Sequence, residues 1–278
     1  MSSEDRSLTE GILRRDRWIV IVGLTAMTLL SWAYVVAGAG TGMSVWAMTS
    51  ASLFPHRLSA MSIDAATQAL AWTPGYWALM LLMWWIMMIA MMTPSAAPMI
   101  LLFVRATRHA QAQARLQPGA APTVAFAGGY LLAWLGFSVA ATVLMWTLER
   151  AALTSTITMS SASPWLSAAI LVLAGLYQFS PWKGACLQGC RQPADFIARH
   201  WKPGAFGALR MGLEHGFVCI GCCWVLMALL FVGGIMNVLW IGILALFVIL
   251  EKIVPQGPRL AWIGGLFLLA WGAVTLVV

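Results

Sequence analysis

The chain has 278 residues, of which 61% are hydrophobic and only 9% charged, with a mean hydropathy of +0.85; an ordinary soluble domain is about 25% charged. A soluble fold of this size buries about three quarters of its chain surface, too little to hide so much apolar area. A soluble enzyme, a disordered chain and a secreted disulfide scaffold are therefore excluded, and the net charge of +7 fits membrane topology better than nucleic acid.

The hydropathy pattern predicts an all-α integral membrane bundle of about seven transmembrane helices, each needing about 20 apolar residues to cross a core of about 30 Å. Residues 1–17 form a tail carrying Arg6, Arg14, Arg15 and Arg17. The first span, 18–37, follows Arg14-Arg15 and precedes Ala37-Gly38-Ala39, a pattern shared with cleavable signals. Its apolar run is longer than a usual signal core, so a membrane helix is expected. The external loop 38–75 is the longest connection, with room for short interfacial helices. Residues 18–278 as a whole form one helical membrane domain.

The second span, 76–104, is about 43 Å long at 1.5 Å per residue and must tilt or bend; Pro94 and Pro98 supply the bend. Met80, Met83, Met87 and Met91 share one of its faces, with Met88 and Met92 beside it. Thioethers bind Cu(I) without losing a proton and discriminate against harder ions. The competing explanation is that methionine is an adaptable packing residue.

The third and fourth spans are 124–146 and the short 164–179. The cytoplasmic loop 180–210 contains Cys186 and Cys190 beside Lys183 and Arg191. A four-residue spacing turns both thiols the same way on a helix, and basic neighbours favour the thiolate that captures metal or exchanges with disulfides. A structural disulfide is not expected in a reducing cytosol.

The fifth span, 211–233, carries the densest chemistry, His215, Cys219, Cys222 and Cys223. The first three fall within about 60° of one another on a helix, with Cys223 about 40° further round. Imidazole and thiolates on one face suit Cu(I), and Zn(II) is the other common outcome; buried core cysteines and a core histidine are the alternative. Glu214 is expected to support His215 or to accept protons as thiols bind metal. Met87 and Met91 lie about 17 and 23 Å below the outer face, and His215 and Cys219 about 8 and 14 Å above the inner one, so a site shared by the second and fifth spans is geometrically allowed.

The sixth span, 235–254, turns back at Gly233-Gly234, and Glu251-Lys252 at its end are expected to anchor it at the interface. The seventh is 260–278. Fourteen of the 16 basic residues fall in the tail and the even-numbered loops, placing the N-terminus in the cytoplasm. No P-loop, dinucleotide fingerprint, His-Glu-x-x-His or nucleophile elbow is present, and no catalytic residue is assigned.

Three blocks, Met87 to Pro98 (MMIAMMTPSAAP), Phe179 to Arg191 (FSPWKGACLQGCR) and His215 to Pro255, resemble a bacterial family of metal-binding integral membrane proteins, the domain of unknown function DUF2182. That family includes a membrane copper chaperone associated with a bacterial tyrosinase. The resemblance implies copper handling in the bacterial cytoplasmic (inner) membrane. Its Cys and His positions are occupied here, whereas the N-terminal third diverges and leaves the external partner open.

The expectation is a membrane Cu(I)-binding protein that serves copper transfer or cuproenzyme maturation. Its candidate ligands are Cys186, Cys190, His215, Cys219, Cys222, Cys223, Met83, Met87 and Met91. Its partners are the lipid bilayer, the metal ion and a cuproenzyme or membrane complex, with no nucleic acid. A membrane thiol-disulfide oxidoreductase and a non-catalytic accessory subunit are the alternatives.

Overall fold

The computed structural model describes residues 3–40, 45–46, 49–50, 72–113, 119–155 and 159–277, with side chains from residue 17 onward. The chain is helical almost throughout: α1 (Ser3–Val36), α2 (Pro74–Ala112), α3 (Ala121–Arg150), α4 (Pro164–Gln178), α5 (Pro181–Arg191), α6 (Pro193–His200), α7 (Gly204–Ala228), α8 (Leu230–Gly233), α9 (Val238–Ile253) and α10 (Gly257–Val277). A two-residue antiparallel ribbon, β1 (Thr154–Ser155) and β2 (Ser160–Ser161), joins α3 to α4. Most of the external loop, and the interfacial helices expected in it, lie outside the described residues.

Three helices begin with the same device. Thr73, Ser163 and Ser180 each turn a side-chain oxygen to accept a backbone N–H of the first turn, and a proline follows as the first helical residue. The cap satisfies an orphan donor, and the proline has no N–H to lose there. Asn237 caps α9 in the same way, accepting from the Trp240 N–H. Just before it, Gly234 adopts φ 93°, a left-handed conformation suited to glycine, which lets the chain reverse between α8 and α9.

Five helical stretches are long and apolar enough to cross a membrane among the described residues: Arg17–Val36, α2, α3, α7 continued by α8, and α10. Helices α4 and α5 pass the same test only together, across a 65° bend. Helix α9 has 16 residues, about 24 Å, and falls short alone. More than half of the apolar stretch of α2 and of α7 with α8 is buried, against 11% for α1. These two helices are the centre of the bundle and α1 is peripheral. The bend in chain direction comes after Gln178, where Phe179 and Ser180 separate α4 from α5.

Helices α3 and α7 approach closely because glycines line the contact. A Cβ at Gly129 would fall on the Leu209 carbonyl, one at Gly212 on the Phe126 carbonyl, and one at Gly216 on the Ala133 side chain. Gly212 and Gly216 form a small-xxx-small pair, the spacing that lets membrane helices pack backbone to backbone. At one end of the bundle Trp72, Tyr76 and Trp77 cluster with Trp146, and the Trp72 indole donates to Glu149 at 2.8 Å. Arg150 stacks over Trp146 at 5.5 Å. Such aromatic groups favour a membrane–water boundary.

Candidate metal centre

The short helices α5 and α6 do not form a solvated loop. Helix α5 packs along α7, with Cys186 against Gly221, where a Cβ would lie 2.7 Å from its sulfur. On the other side α5 is bound to the end of α9. Lys183 Nζ donates to both Glu251 oxygens, at 2.9 and 2.8 Å, and this pair is almost fully buried. Arg191 donates to the carbonyls of Glu251, Val254 and Pro255 at 2.8, 2.6 and 3.0 Å, satisfying the last acceptors of α9.

That docking brings the two cysteine motifs together. Cys190 Sγ lies 3.9 Å from Cys222 Sγ. Cys222 and Cys223 both donate to the Cys219 carbonyl at 3.0 Å, and Cys223 Sγ is 3.9 Å from the Met92 sulfur of α2. Cys219, Cys222 and Cys223 are each 1% exposed, and all five cysteines are free thiols, with Cys186 and Cys190 half-buried. Helices α2, α5 and α7 thus converge on one buried sulfur cluster.

Cys219 sits among polar partners. The Tyr130 hydroxyl of α3 is 3.2 Å from its sulfur and 3.3 Å from the Met92 carbonyl. Ser95 also donates to that carbonyl at 2.8 Å, in the stretch of α2 whose ladder Pro94 and Pro98 interrupt. Lys252 of α9 donates to Cys219 Sγ at 3.0 Å and to Ser95 Oγ at 3.2 Å. The expectation that Glu251 and Lys252 anchor a helix end at the interface is corrected here. Glu251 is 1% and Lys252 7% exposed, and both point into the bundle. Burying a charge is costly without a partner, and each finds one.

His215 is 2% exposed. Its ring stacks near Tyr130 and Phe126 and meets the edge of Phe196 at 5.3 Å, while its Nδ1 has no hydrogen-bond partner. A buried imidazole nitrogen without a partner is unusual and is a lone pair or proton still to be satisfied. Glu214 makes its bonds elsewhere, accepting from Lys202 at 2.5 Å and Arg210 at 3.1 Å.

Met83, Met87 and Met91 are all buried, at 1% exposure or less, in the core of α2. The methionine sulfur that reaches a cysteine belongs to Met92, one residue past the expected face. Among the described residues no three His, Cys, Asp or Glu side chains are gathered into a ready cage for an ion. The cluster is nevertheless rich in soft donors. Two sulfurs 3.9 Å apart with metal–sulfur bonds of about 2.3 Å enclose an angle near 116°, close to trigonal, so Cys190 and Cys222 can share one ion with little movement.

Sequence reasoning did not place Lys252, Tyr130 or Ser95 beside the cysteines, took Lys183 only as a basic neighbour of Cys186 and Cys190, and took Met92 only as flanking the methionine face. For the two lysines a signal was present, since ionisable residues at the ends of apolar runs face either the boundary or the bundle interior. For Tyr130 and Ser95 there was none.

Neither curated proteins nor solved structures give a match to the chain. A family model described as PpoB2, copper chaperone, matches residues 81–275, more than two thirds of the sequence, and that stretch contains every residue of the sulfur cluster together with Tyr130, His215 and Lys252. The chain therefore belongs to the PpoB2 copper chaperone family.

Proposed function

We propose that the protein is a multi-pass component of the bacterial cytoplasmic membrane that binds Cu(I) in the cluster of Cys190, Cys219, Cys222 and Cys223, and passes it to a cuproenzyme or its membrane partner. The observation that carries this reading is the 3.9 Å approach of Cys190 on α5 to Cys222 on α7, which joins two distant cysteine motifs inside a protein of a copper chaperone family. Thiolates and a thioether prefer Cu(I) to harder ions, and Met92 beside Cys223 extends the donors without another ionisable group. The unpartnered Nδ1 of His215 is a further donor, and Zn(II) is the competing ion for a Cys and His set. Cys186, half-buried on the same helix as Cys190, receives the ion from the cytoplasmic side. Met83, Met87 and Met91 continue a thioether path outward along α2.

The proposed topology has seven crossings with the N-terminus in the cytoplasm, residues 1–17 as the tail and the remainder as one membrane domain. The short α4 and α9 serve as the fourth and sixth. The wholly apolar run from Val238 to Leu250 and the Lys and Arg bias of the tail and even-numbered loops support it. Ligand exchange between neighbouring two- and three-coordinate sulfur sites lets the ion move without being released to water.

The test is metal analysis of the full-length protein purified without oxygen after Cu(I) loading, compared with Cys219→Ser and Cys222→Ser. Serine preserves size but is a poor soft-metal ligand. Each variant is expected to remain in the membrane and to lose most of its copper. Wild-type stoichiometry and affinity in both would refute the cluster. A metal-free Cys190–Cys222 disulfide that forms and breaks with the redox poise would favour the oxidoreductase alternative.

A further inference from the structure

The groove where α4 bends into α5 and meets the start of α10 has no part in the sulfur cluster. It encloses about 650 Å³, within the range of ligand sites. Gln178 at the end of α4 lines it with Phe179, as do Lys183, Gln188 and Arg191 of α5 and Trp262 of α10. Gln178 is 4% exposed. It stands close to Glu251 without reaching hydrogen-bonding geometry, and neither its amide oxygen nor its amide nitrogen has a partner. Nearly every buried polar group is satisfied, so an open amide on a polar groove is a binding function still to be filled. The groove also carries charge. Glu251 cancels Lys183, but among the described residues no carboxylate pairs with Arg191. Its bonds go to three carbonyls at the end of α9, which leaves two of the five guanidinium N–H groups for a ligand. Those carbonyls also hold the guanidinium still. A Cβ at Gly257 would fall on it, so the glycine is what admits Arg191 beside the first turn of α10.

We propose that this groove seats the phosphate of an anionic glycerophospholipid of the cytoplasmic leaflet, with Arg191 supplying the opposite charge and the Gln178 amide nitrogen donating a hydrogen bond. The inference goes beyond copper handling and stands whatever the sulfur cluster holds. A phosphate diester carries one negative charge, which the guanidinium balances one for one, and its two free oxygens can accept from Arg191 and Gln178 together. Position favours a lipid as the source. Helices α4 and α9 end beside the groove and α10 begins there, so it opens at a membrane boundary, on the side that the proposed topology makes cytoplasmic. Anionic lipids of that leaflet are drawn to basic pockets between helices. Trp262 is 60% exposed and meets the Phe179 ring edge-on at 5.1 Å, an aromatic wall of the kind that sits at headgroup level. Further along α10, Ile263 and Leu266 are 63% and 62% exposed and offer the acyl chains an apolar face. A free phosphate ion would meet the same donors but leave that wall bare.

The experiment uses the full-length protein, stripped of lipid in a neutral detergent, with dioctanoyl phosphatidylglycerol, dioctanoyl phosphatidylcholine and inorganic phosphate as probes. Native mass spectrometry counts the lipid retained, and the rise in thermal stability with ligand concentration gives its affinity. The wild-type protein is expected to bind phosphatidylglycerol in preference to the zwitterionic lipid. Gln178→Leu removes a buried amide that has no partner, so the protein should stay folded, yet it should weaken phosphatidylglycerol binding by roughly tenfold. Arg191→Gln should abolish the preference between the two lipids. Because Arg191 also clasps the end of α9, that variant may fail to accumulate, and Gln178→Leu then decides alone. Wild-type protein that does not distinguish the two lipids, or unchanged phosphatidylglycerol affinity in Gln178→Leu, overturns the inference. Inorganic phosphate that stabilises the protein as much as the lipid does, and displaces it, would overturn the lipid as the source and give the groove to the free ion.

Discussion

The buried pair between Lys183 and Glu251 offers the sharpest test of how α5 is held. The ammonium sits 2.8 to 2.9 Å from both carboxylate oxygens, and the two side chains are 1% and 2% exposed. At an effective dielectric of about 20, one such contact is worth about 6 kcal/mol of attraction, and removing both ions from water offsets it by several kcal/mol each. The intact pair should therefore be close to neutral overall, while either ion alone is strongly unfavourable. Lys183→Met is expected to destabilise the protein by about 3–5 kcal/mol, and Lys183→Met with Glu251→Leu by no more than about 1 kcal/mol. Reversible denaturant unfolding in detergent micelles, run as a double-mutant cycle, measures both. Because α5 carries Cys190, the single variant should also lose Cu(I), and the double variant should recover it. A single substitution costing less than about 1 kcal/mol, or a double variant as unstable as the two singles combined, would refute the argument that these charges compensate each other.

Gly212→Ala places a methyl on the Phe126 carbonyl and should cost about 1–3 kcal/mol. Gly136→Ala, with nothing within 4 Å of its added Cβ, should change stability by no more than about 0.5 kcal/mol. Met92→Leu conserves volume while removing the thioether beside Cys223, so Cu(I) retention should fall with protein abundance level. The Met87→Leu, Met91→Leu double variant should slow copper delivery and spare equilibrium retention. Reporter fusions after Lys202 and Ser155 should behave as internal and external respectively, and an external Lys202 would reverse the proposed direction of copper flow.

The helices were legible in the sequence because lipid leaves the backbone few options: apolar runs must satisfy their hydrogen bonds internally, and composition alone reveals that. The cysteines and His215 stood out as candidate donors because they are rare and because His215, Cys219 and Cys222 share one helical face. Hydropathy does not show which helix ends meet. Glu251 and Lys252 therefore read as boundary charges and Lys183 as a basic neighbour of the loop cysteines, although the fold turns all three inward, and the loop bearing Cys186 and Cys190 gave no sign that a 65° bend would set it beside α7. Which methionine sulfur meets a thiol was hidden for a finer reason. Sharing a face is a property of one helix, whereas contact with Cys223 depends on how α2 is rotated against α7, and that rotation favours Met92. Gly212 and Gly216 were visible in the sequence, but the partner Gly129 lies on α3 and emerges only from the packed pair.

The dispersal of the sulfur cluster along the chain has a consequence for biosynthesis. Met92, Tyr130, Cys190, Cys219 and Lys252 come from five different helices. Domains assemble in the order in which the chain emerges, so a nascent protein inserted only as far as α7 already has its thiols but lacks the ammonium of α9 and the clamp that Glu251 places on α5. Until residue 252 has entered the bilayer, Cys190 has nothing on α9 to hold it against Cys222. The ring of partners around the cluster, Tyr130 against Cys219 and Lys252 against Cys219 and Ser95, is thus complete only once α9 has joined the bundle.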